Sequence, residues 1–127
     1  MPLPATILIV EDEQDQMALL TQVLTSAGYH VVPAYGGEDA IRKVKGGRID
    51  LVVTDLAMPE VTGIEVVQTI KSDPATRHIP VIAVTAHLWD QVGQAASQAG
   101  CDGFLSKPFT ATRLIQEIHK RLKPAGT

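Results

Sequence analysis

The sequence predicts an α/β fold in which a five-stranded parallel sheet carries five helices on its two faces. Short aliphatic runs alternate along the chain with segments whose apolar residues recur every three or four positions. The runs lack polar alternation, which is typical of strands that are buried on both faces. Right-handed crossovers between such strands place helices on both sides of the sheet. A length of 127 residues suits one domain of this kind.

The first half of the chain predicts three strands and two helices. Thr6–Val10 is the first aliphatic run, and the helix after it ends at Gly28, a residue that readily ends helices. The apolar stripe of this helix comprises Met17, Leu20, Leu24 and Ala27. The other elements predicted here are a strand over His30–Ala34, a helix over Glu38–Lys45 and a strand over Leu51–Thr54.

The second half predicts three helices and two strands. The third helix carries Ile64, Val67 and Ile70, and it ends at Asp73 because a residue before proline is disfavoured in the α region. The remaining elements are a strand over Val81–Val84, a weak alanine-rich helix over Asp90–Ala99, a strand over Phe104–Leu105 and a helix that begins near Thr110. We expect one domain over residues 6–122, with tails at 1–5 and 123–127.

Composition narrows the class of protein. No apolar stretch approaches the roughly 18 residues that a membrane span needs, and the first residues do not resemble a secretory signal. The single cysteine, Cys101, fits a reducing compartment, so we expect a cytoplasmic location. The net charge of −3 argues against direct binding of nucleic acid. We expect the basic residues near the C-terminus to complement a helix dipole; they are Arg113, Lys120, Arg121 and Lys123.

Polar residues follow four of the predicted strands. Glu11 and Asp12 follow the first strand, Asp55 the third, Thr85 the fourth and Lys107 the fifth. The carboxyl ends of parallel strands meet at one edge of the sheet, where such folds bind ligands. We therefore expect three carboxylates, a hydroxyl and an ammonium to share one site.

These groups suit a divalent cation and a phosphoryl group. Two carboxylates about 4 Å apart repel by about 4 kcal/mol at an effective dielectric of 20, which a cation would relieve. Oxygen ligands favour Mg²⁺, or Mn²⁺, over zinc. Lys107 and Thr85 can donate to phosphoryl oxygens. Asp55, on the middle strand, is the best candidate for a nucleophile that forms an aspartyl-phosphate.

The same residues carry a resemblance that spans about Thr6 to Leu122. The matching stretches are Ile9–Glu13, Thr54–Pro59 with Gly63, Val84–Ala86 and Phe104–Pro108. In this order and spacing they resemble the receiver domain of bacterial two-component response regulators, of the single-domain type found in chemotaxis. The resemblance implies a flavodoxin-like sheet of order 2-1-3-4-5. It also implies a phosphorelay signal switch rather than an enzyme.

The resemblance assigns a role to each site residue. Asp55 would accept a phosphoryl group from a sensor histidine kinase or a phosphotransfer protein. Asp12 and Asp55 would bind Mg²⁺ directly, with the backbone carbonyl of Ala57, and Glu11 would help through water. Lys107 would pair with the phosphoryl oxygens, and its peptide bond to Pro108 would be cis.

The resemblance also implies a switch. Thr85 would move toward the phosphoryl group and the ring of Phe104 would swing inward behind it. We expect the weak fourth helix, the fifth strand and the last helix to change shape for a downstream protein or a second copy. Ala57 and His87 are expected to set the lifetime of the phosphorylated state. Equal dephosphorylation rates in wild type, Ala57→Asn and His87→Ala would contradict this expectation.

Other classes of protein fit the sequence less well. A phosphatase of the haloacid dehalogenase type would need a second aspartate two residues after the nucleophile, where this chain has Ala57, and its nucleophile would follow the first strand. A flavin-binding module would need a hydroxyl-rich phosphate loop after the first strand, where Glu11–Glu13 would repel a phosphate. A receiver-like domain that is never phosphorylated would fail to react with acetyl phosphate in the presence of Mg²⁺.

Overall fold

The computed structural model describes residues 4–58, 61–86 and 91–122, which form the predicted α/β sandwich. The strands run parallel, and their order is β2-β1-β3-β4-β5, as the family resemblance implies. The elements in chain order are β1 (Thr6–Val10), α1 (Gln14–Ser26), β2 (His30–Ala34), α2 (Gly37–Gly46), β3 (Leu51–Asp55), α3 (Gly63–Ser72), β4 (Val81–Thr85), α4 (Gln91–Ala99), β5 (Gly103–Ser106) and α5 (Ala111–Arg121).

The alternation of side chains along the strands divides the core between the two faces of the sheet. Ile7 and Ile9 of β1 pack in a cluster with apolar residues of α1 and α5. Leu8 and Val10 pack in a second cluster with α2 and α3. Nearly every residue of β1, β3 and β4 is buried, which explains why these strands are aliphatic throughout.

Hydroxyl caps and left-handed glycines set several helix ends. The side chains of Thr62 and Thr110 accept hydrogen bonds from the backbone N–H of the residue three positions later, at the starts of α3 and α5. Gly28 and Gly100 follow α1 and α4 with φ of +96° and +104°, a region that other residues rarely adopt. These stops lie where the sequence predicts them.

Several details differ from the sequence expectations; among them, β4 includes Thr85 and α2 spans Gly37–Gly46. Asp55 is the last residue of β3 rather than the residue after it. β5 is longer than Phe104–Leu105, since it includes Gly103 and Ser106. Arg113 lies in the first turn of α5, so the helix-dipole explanation for this residue is wrong; the basic residues of the last turn are His119, Lys120 and Arg121.

Helix α4 buries little apolar side-chain area, because its buried residues are only Gly93 and Ala96; its expected weakness stays a prediction. Asp90, where this helix was expected to begin, lies outside the described residues. In the described parts of the chain, no helix has the length and apolar character needed to cross a membrane.

Candidate functional site

The structure brings the predicted polar residues to one edge of the sheet. Glu11 and Asp12 follow β1, and Asp55 ends the neighbouring strand β3. Thr85 ends β4, and its carbonyl accepts a hydrogen bond of 3.0 Å from the backbone N–H of Lys107, just after β5. Parallel pairing of adjacent strands is therefore what places residues from four separate segments side by side.

The three carboxylates form a compact acidic cluster. One oxygen each of Glu11, Asp12 and Asp55 lies within 4.8 Å of the others. Lys107 Nζ lies 3.1 Å from Asp55 Oδ2 and 3.9 Å from Glu11 Oε1. The cluster therefore carries a formal charge of −3, which the ammonium reduces to −2.

Backbone donors hold two of these carboxylates in place. The N–H of Ala57 donates to Asp55 Oδ1 at 3.0 Å, and the N–H of Glu13 donates to Glu11 Oε2 at 3.0 Å. Burial raises the pKa of Glu11, and repulsion from Asp55 and Asp12 acts in the same direction. The Glu13 hydrogen bond and the Lys107 ammonium oppose this rise. Glu11 is only 3% exposed, so it would gain most from a cation that offsets its charge.

The donor set of the cluster fits a hard divalent cation. All three side chains offer carboxylate oxygens, the ligands that Mg²⁺ prefers. Asp12 is exposed while Glu11 and Asp55 are buried, so the cluster opens to solvent on one side. That opening leaves room for the waters and phosphate oxygens with which Mg²⁺ usually completes its coordination.

The two residues expected to switch lie on the α4 side of the sheet. Thr85 is buried at the end of β4, and strand alternation places it on the same face as Ala83. Phe104 is half-buried and packs against Ala83, Leu56 and Ala96 beneath α4. A movement of the Phe104 ring would therefore change its packing beneath α4. The movement itself stays a prediction.

The structure describes some of the other expected site features. The Lys107–Pro108 peptide bond is cis, as predicted. Ala57 is exposed, and metal binding by its carbonyl stays a prediction. His87 lies in the segment 87–90, outside the described residues.

Sequence reasoning missed a cavity beside the acidic cluster. Its volume is about 510 Å³, and its apolar lining includes Leu19 and Leu20 of α1 with Pro108 and Phe109 after β5. Leu19 is 56% exposed. Leu19 lies outside the apolar stripe of the first helix, and this was the feature of the sequence that could have indicated an exposed apolar surface.

Gly63, which the sequence offered only as part of the family resemblance, has a packing role in the structure. A Cβ atom on Gly63 would lie 2.1 Å from the carbonyl oxygen of Asp55 and 2.6 Å from Leu56 Cα. The start of α3 therefore packs directly on the backbone that carries Asp55. The sequence shows the glycine in a family-like position but does not show this contact, which joins the start of α3 to the end of β3.

A family model for the response regulator receiver domain matches residues 7–119. Among curated proteins, the polar-differentiation response regulator DivK of Brucella anthropi is 36% identical over 123 residues, which cover 97% of this chain and all of that protein. DivK of Brucella ovis is 35% identical and covers 94% of this chain and 98% of its own length.

Solved structures give the same similarity at the level of the fold. The chemotaxis protein CheY4 of Vibrio cholerae superposes with a TM-score of 0.88 at 28% identity, covering 94% of this chain and 99% of that one. The receiver domain of a sensor histidine kinase from Pseudomonas aeruginosa has a TM-score of 0.87 at 28% identity, covering 92% and 96%. That structure holds a magnesium ion coordinated in its active-site cleft.

Proposed function

Because the chain belongs to the response regulator receiver domain family of two-component systems, we propose that it is a phosphorylation-dependent switch in which Asp55 accepts the phosphoryl group. Receiver domains are regulatory and interact with histidine kinases or phosphotransfer proteins and with downstream targets. The phosphoryl donor is accordingly a phosphohistidine on such a partner, and the reaction takes place in the cytoplasm.

The observation that supports the proposal is the position of Asp55, which lies between the carboxylates of Glu11 and Asp12 and the ammonium of Lys107. Its carboxylate belongs to the acidic cluster with Glu11 and Asp12, and its Oδ2 lies 3.1 Å from Lys107 Nζ. Phosphoryl transfer requires mainly positioning and neutralisation of charge around the transferred oxygens. Both requirements have candidate groups at this edge of the sheet.

The chemical step moves one phosphoryl group between two side chains. An Asp55 oxygen attacks phosphorus, a P–O bond forms, and the bond from phosphorus to the donor histidine nitrogen breaks. That nitrogen keeps the electron pair and leaves as a neutral imidazole, with its proton on the other ring nitrogen. Later attack by water on phosphorus releases phosphate and restores the carboxylate.

The remaining residues position these groups. Lys107 holds one phosphoryl oxygen by a charge-assisted hydrogen bond, and the hydroxyl of Thr85 donates to another. Asp12, Asp55 and the Ala57 carbonyl would hold Mg²⁺ directly, with Glu11 acting through water. When bound, the ion supplies positive charge that offsets the carboxylates and the phosphoryl oxygens.

Intact mass after incubation with acetyl phosphate tests this function. We expect the wild-type chain to gain one phosphoryl group in the presence of Mg²⁺ and none when the metal is removed by a chelator. Asp55→Asn should gain none under either condition. Asp15→Asn is a matched control, because this exposed aspartate lies in the first turn of α1 and outside the acidic cluster. An unchanged wild-type mass, or equal labelling of Asp55→Asn, would contradict the proposal.

The switch involves α4, β5 and α5, which form the proposed surface for a downstream protein or a second copy. α4 buries little apolar area and contacts Phe104, so it is the element that phosphorylation displaces most easily. We expect amide hydrogen exchange in α4, β5 and α5 to change when a phosphoryl mimic binds with Mg²⁺. Helix α2 packs near the opposite edge of the sheet and serves as the internal control. Identical exchange across α4, β5 and α5 would rule out this switch.

A further inference from the structure

Helix α5 carries a charged triad that the proposed phosphoryl chemistry does not use. Glu117 Oε1 accepts a hydrogen bond of 3.0 Å from Arg121 Nε, and its Oε2 accepts one of 3.3 Å from an Arg113 terminal nitrogen. Glu117 is only 4% exposed, whereas the side chains of Arg113 and Arg121 are 54% and 33% exposed. A buried carboxylate thus holds two arginines whose outer parts reach solvent.

The triad leaves no space for a side chain at one position of the neighbouring strand. A Cβ atom on Gly103 of β5 would lie 2.6 Å from Glu117 Oε1 and 3.0 Å from Arg121 Nε. The carboxylate therefore occupies the space that a side chain of β5 would otherwise fill. Burial alone would raise the pKa of Glu117, but hydrogen bonds from Arg121 and Arg113, together with the charges of Arg121 and Lys120, outweigh it and hold this pKa below its ordinary value.

Stability of the fold does not require a charged arrangement at this place. Apolar residues that fill the same space are often as stable as a buried ion pair, or more stable. Arg113 also lies in the first turn of α5, where a cation opposes the helix dipole. What the triad does provide is two guanidinium groups in fixed positions, each with most of its five N–H donors still available.

The net charge of α5 differs in sign from that of the chain as a whole. α5 contains three lysines and arginines against one glutamate, a net charge of +2, while the entire chain carries −3. The neighbouring helix α4 has no charged residue between Gln91 and Ala99. The positive charge is therefore concentrated on α5, in a chain that is otherwise acidic.

We propose that Arg113, Lys120 and Arg121 of α5 form a docking surface for an acidic segment of a partner protein. Glu117 is a positioning residue that fixes the two guanidinium groups for bidentate contact with carboxylates. The inference rests on the proposed function only for the identity of α5 as part of the output surface. A net-acidic chain repels extended polyanions such as nucleic acid or an anionic membrane, which favours a short acidic peptide.

The positions of the arginines specify the partner further. Both guanidinium groups bond to the one carboxylate of Glu117, at 3.3 Å and 3.0 Å, so they lie much closer together than the eight helix positions between the two residues would suggest. In an extended segment, side chains two positions apart point to the same side and lie about 7 Å apart at about 3.3 Å per residue. The partner segment that fits is therefore extended, with acidic residues two positions apart.

Binding of a defined peptide tests the surface. The probe is a fluorescent synthetic peptide of neutral residues with two glutamates two positions apart, and its control has glutamine at both places. We expect fluorescence anisotropy to detect binding of the glutamate peptide only. The double variant Arg113→Gln/Arg121→Gln should weaken it about tenfold. Arg42→Gln, a change at an exposed arginine of α2, should leave it within about twofold.

Two further variants separate docking from loss of structure. Lys120 is exposed, so Lys120→Gln should weaken binding about threefold without unfolding α5. Glu117→Gln makes α5 more positive, so simple attraction predicts tighter binding, whereas a positioning role predicts weaker binding. Tighter binding to Glu117→Gln would exclude the positioning role.

The remaining outcomes address the surface itself. The proposal would be overturned if the protein did not bind the glutamate peptide. It would also be overturned if the protein bound vesicles that contain phosphatidylserine in preference to the peptide. Asp55→Asn should bind the peptide like the unphosphorylated wild type. Loss of peptide binding with normal phosphoryl uptake would therefore disprove the docking surface alone, and the reverse result would disprove only the phosphoacceptor function.

Discussion

Replacement of Gly63 by alanine is expected to destabilise the protein by about 2–3 kcal/mol and to impair phosphoryl uptake by Asp55. The added Cβ would lie 2.1 Å from the carbonyl oxygen of Asp55 and 2.6 Å from Leu56 Cα. Both atoms belong to backbone, so no flexible side chain can move to relieve the contact. β3 is also hydrogen-bonded to β1 and β4 on its two sides, and the N–H of Leu56 donates to the Val84 carbonyl at 3.1 Å.

Urea denaturation measures the loss of stability, and intact mass after incubation with acetyl phosphate and Mg²⁺ measures phosphoryl uptake. Gly46→Ala is the matched control, because a Cβ there meets nothing within 4 Å and alanine favours the helix. We expect the control to be as stable as wild type or slightly more stable. If Gly63→Ala and Gly46→Ala had the same stability, α3 would not pack on the Asp55 backbone as closely as the structure indicates.

Removal of the Lys107 ammonium is expected to have opposite effects on metal binding and on phosphoryl transfer. Lys107 Nζ lies 3.1 Å from Asp55 Oδ2 and 3.9 Å from Glu11 Oε1, so it offsets the same negative charge that attracts a cation. Lys107→Ala should therefore bind Mg²⁺ more tightly, by about tenfold after allowance for solvent screening. The same variant should take up the phosphoryl group about 100-fold more slowly, because a donor to the transferred oxygens is lost.

Isothermal titration with Mg²⁺ measures the first effect, and the rate of mass increase with acetyl phosphate measures the second. Lys45→Ala, a change at an exposed lysine of α2, is the control and should alter neither quantity. Weaker Mg²⁺ binding by Lys107→Ala would show that the ammonium does not compete with the ion. A normal rate of uptake would remove Lys107 from the phosphoryl site.

The acidic cluster was predictable from the sequence because of a property of parallel sheets. Each polar group follows, or ends, an aliphatic run, and parallel strands bring their carboxyl ends to one edge. It therefore required only the identification of the strands to place Asp55 near Glu11 and Lys107. The helices were predictable because their apolar residues recur every three or four positions, which is a local property of the chain. Gly28 and Gly100 marked two of the helix ends.

The less predictable features depend on contacts between residues far apart in the chain. The packing of Gly63 on Asp55, the burial of Glu117 over Gly103 and the exposure of Leu19 arise only when helices dock on the sheet. A glutamate at position 117 looks like an ordinary surface residue of an amphipathic helix in the sequence. Its burial depends on a glycine fourteen positions earlier, on the neighbouring strand.

The sequence by itself determined the order of the elements, the family resemblance and the residues gathered at the carboxyl edge, because hydrophobic period and strand ends are local properties of a chain. Only the tertiary structure decided how closely α3 approaches Asp55, which carboxylates Lys107 pairs with, and how two arginines are held on α5. Those features depend on close packing between distant segments, in which a single added carbon atom changes what can fit.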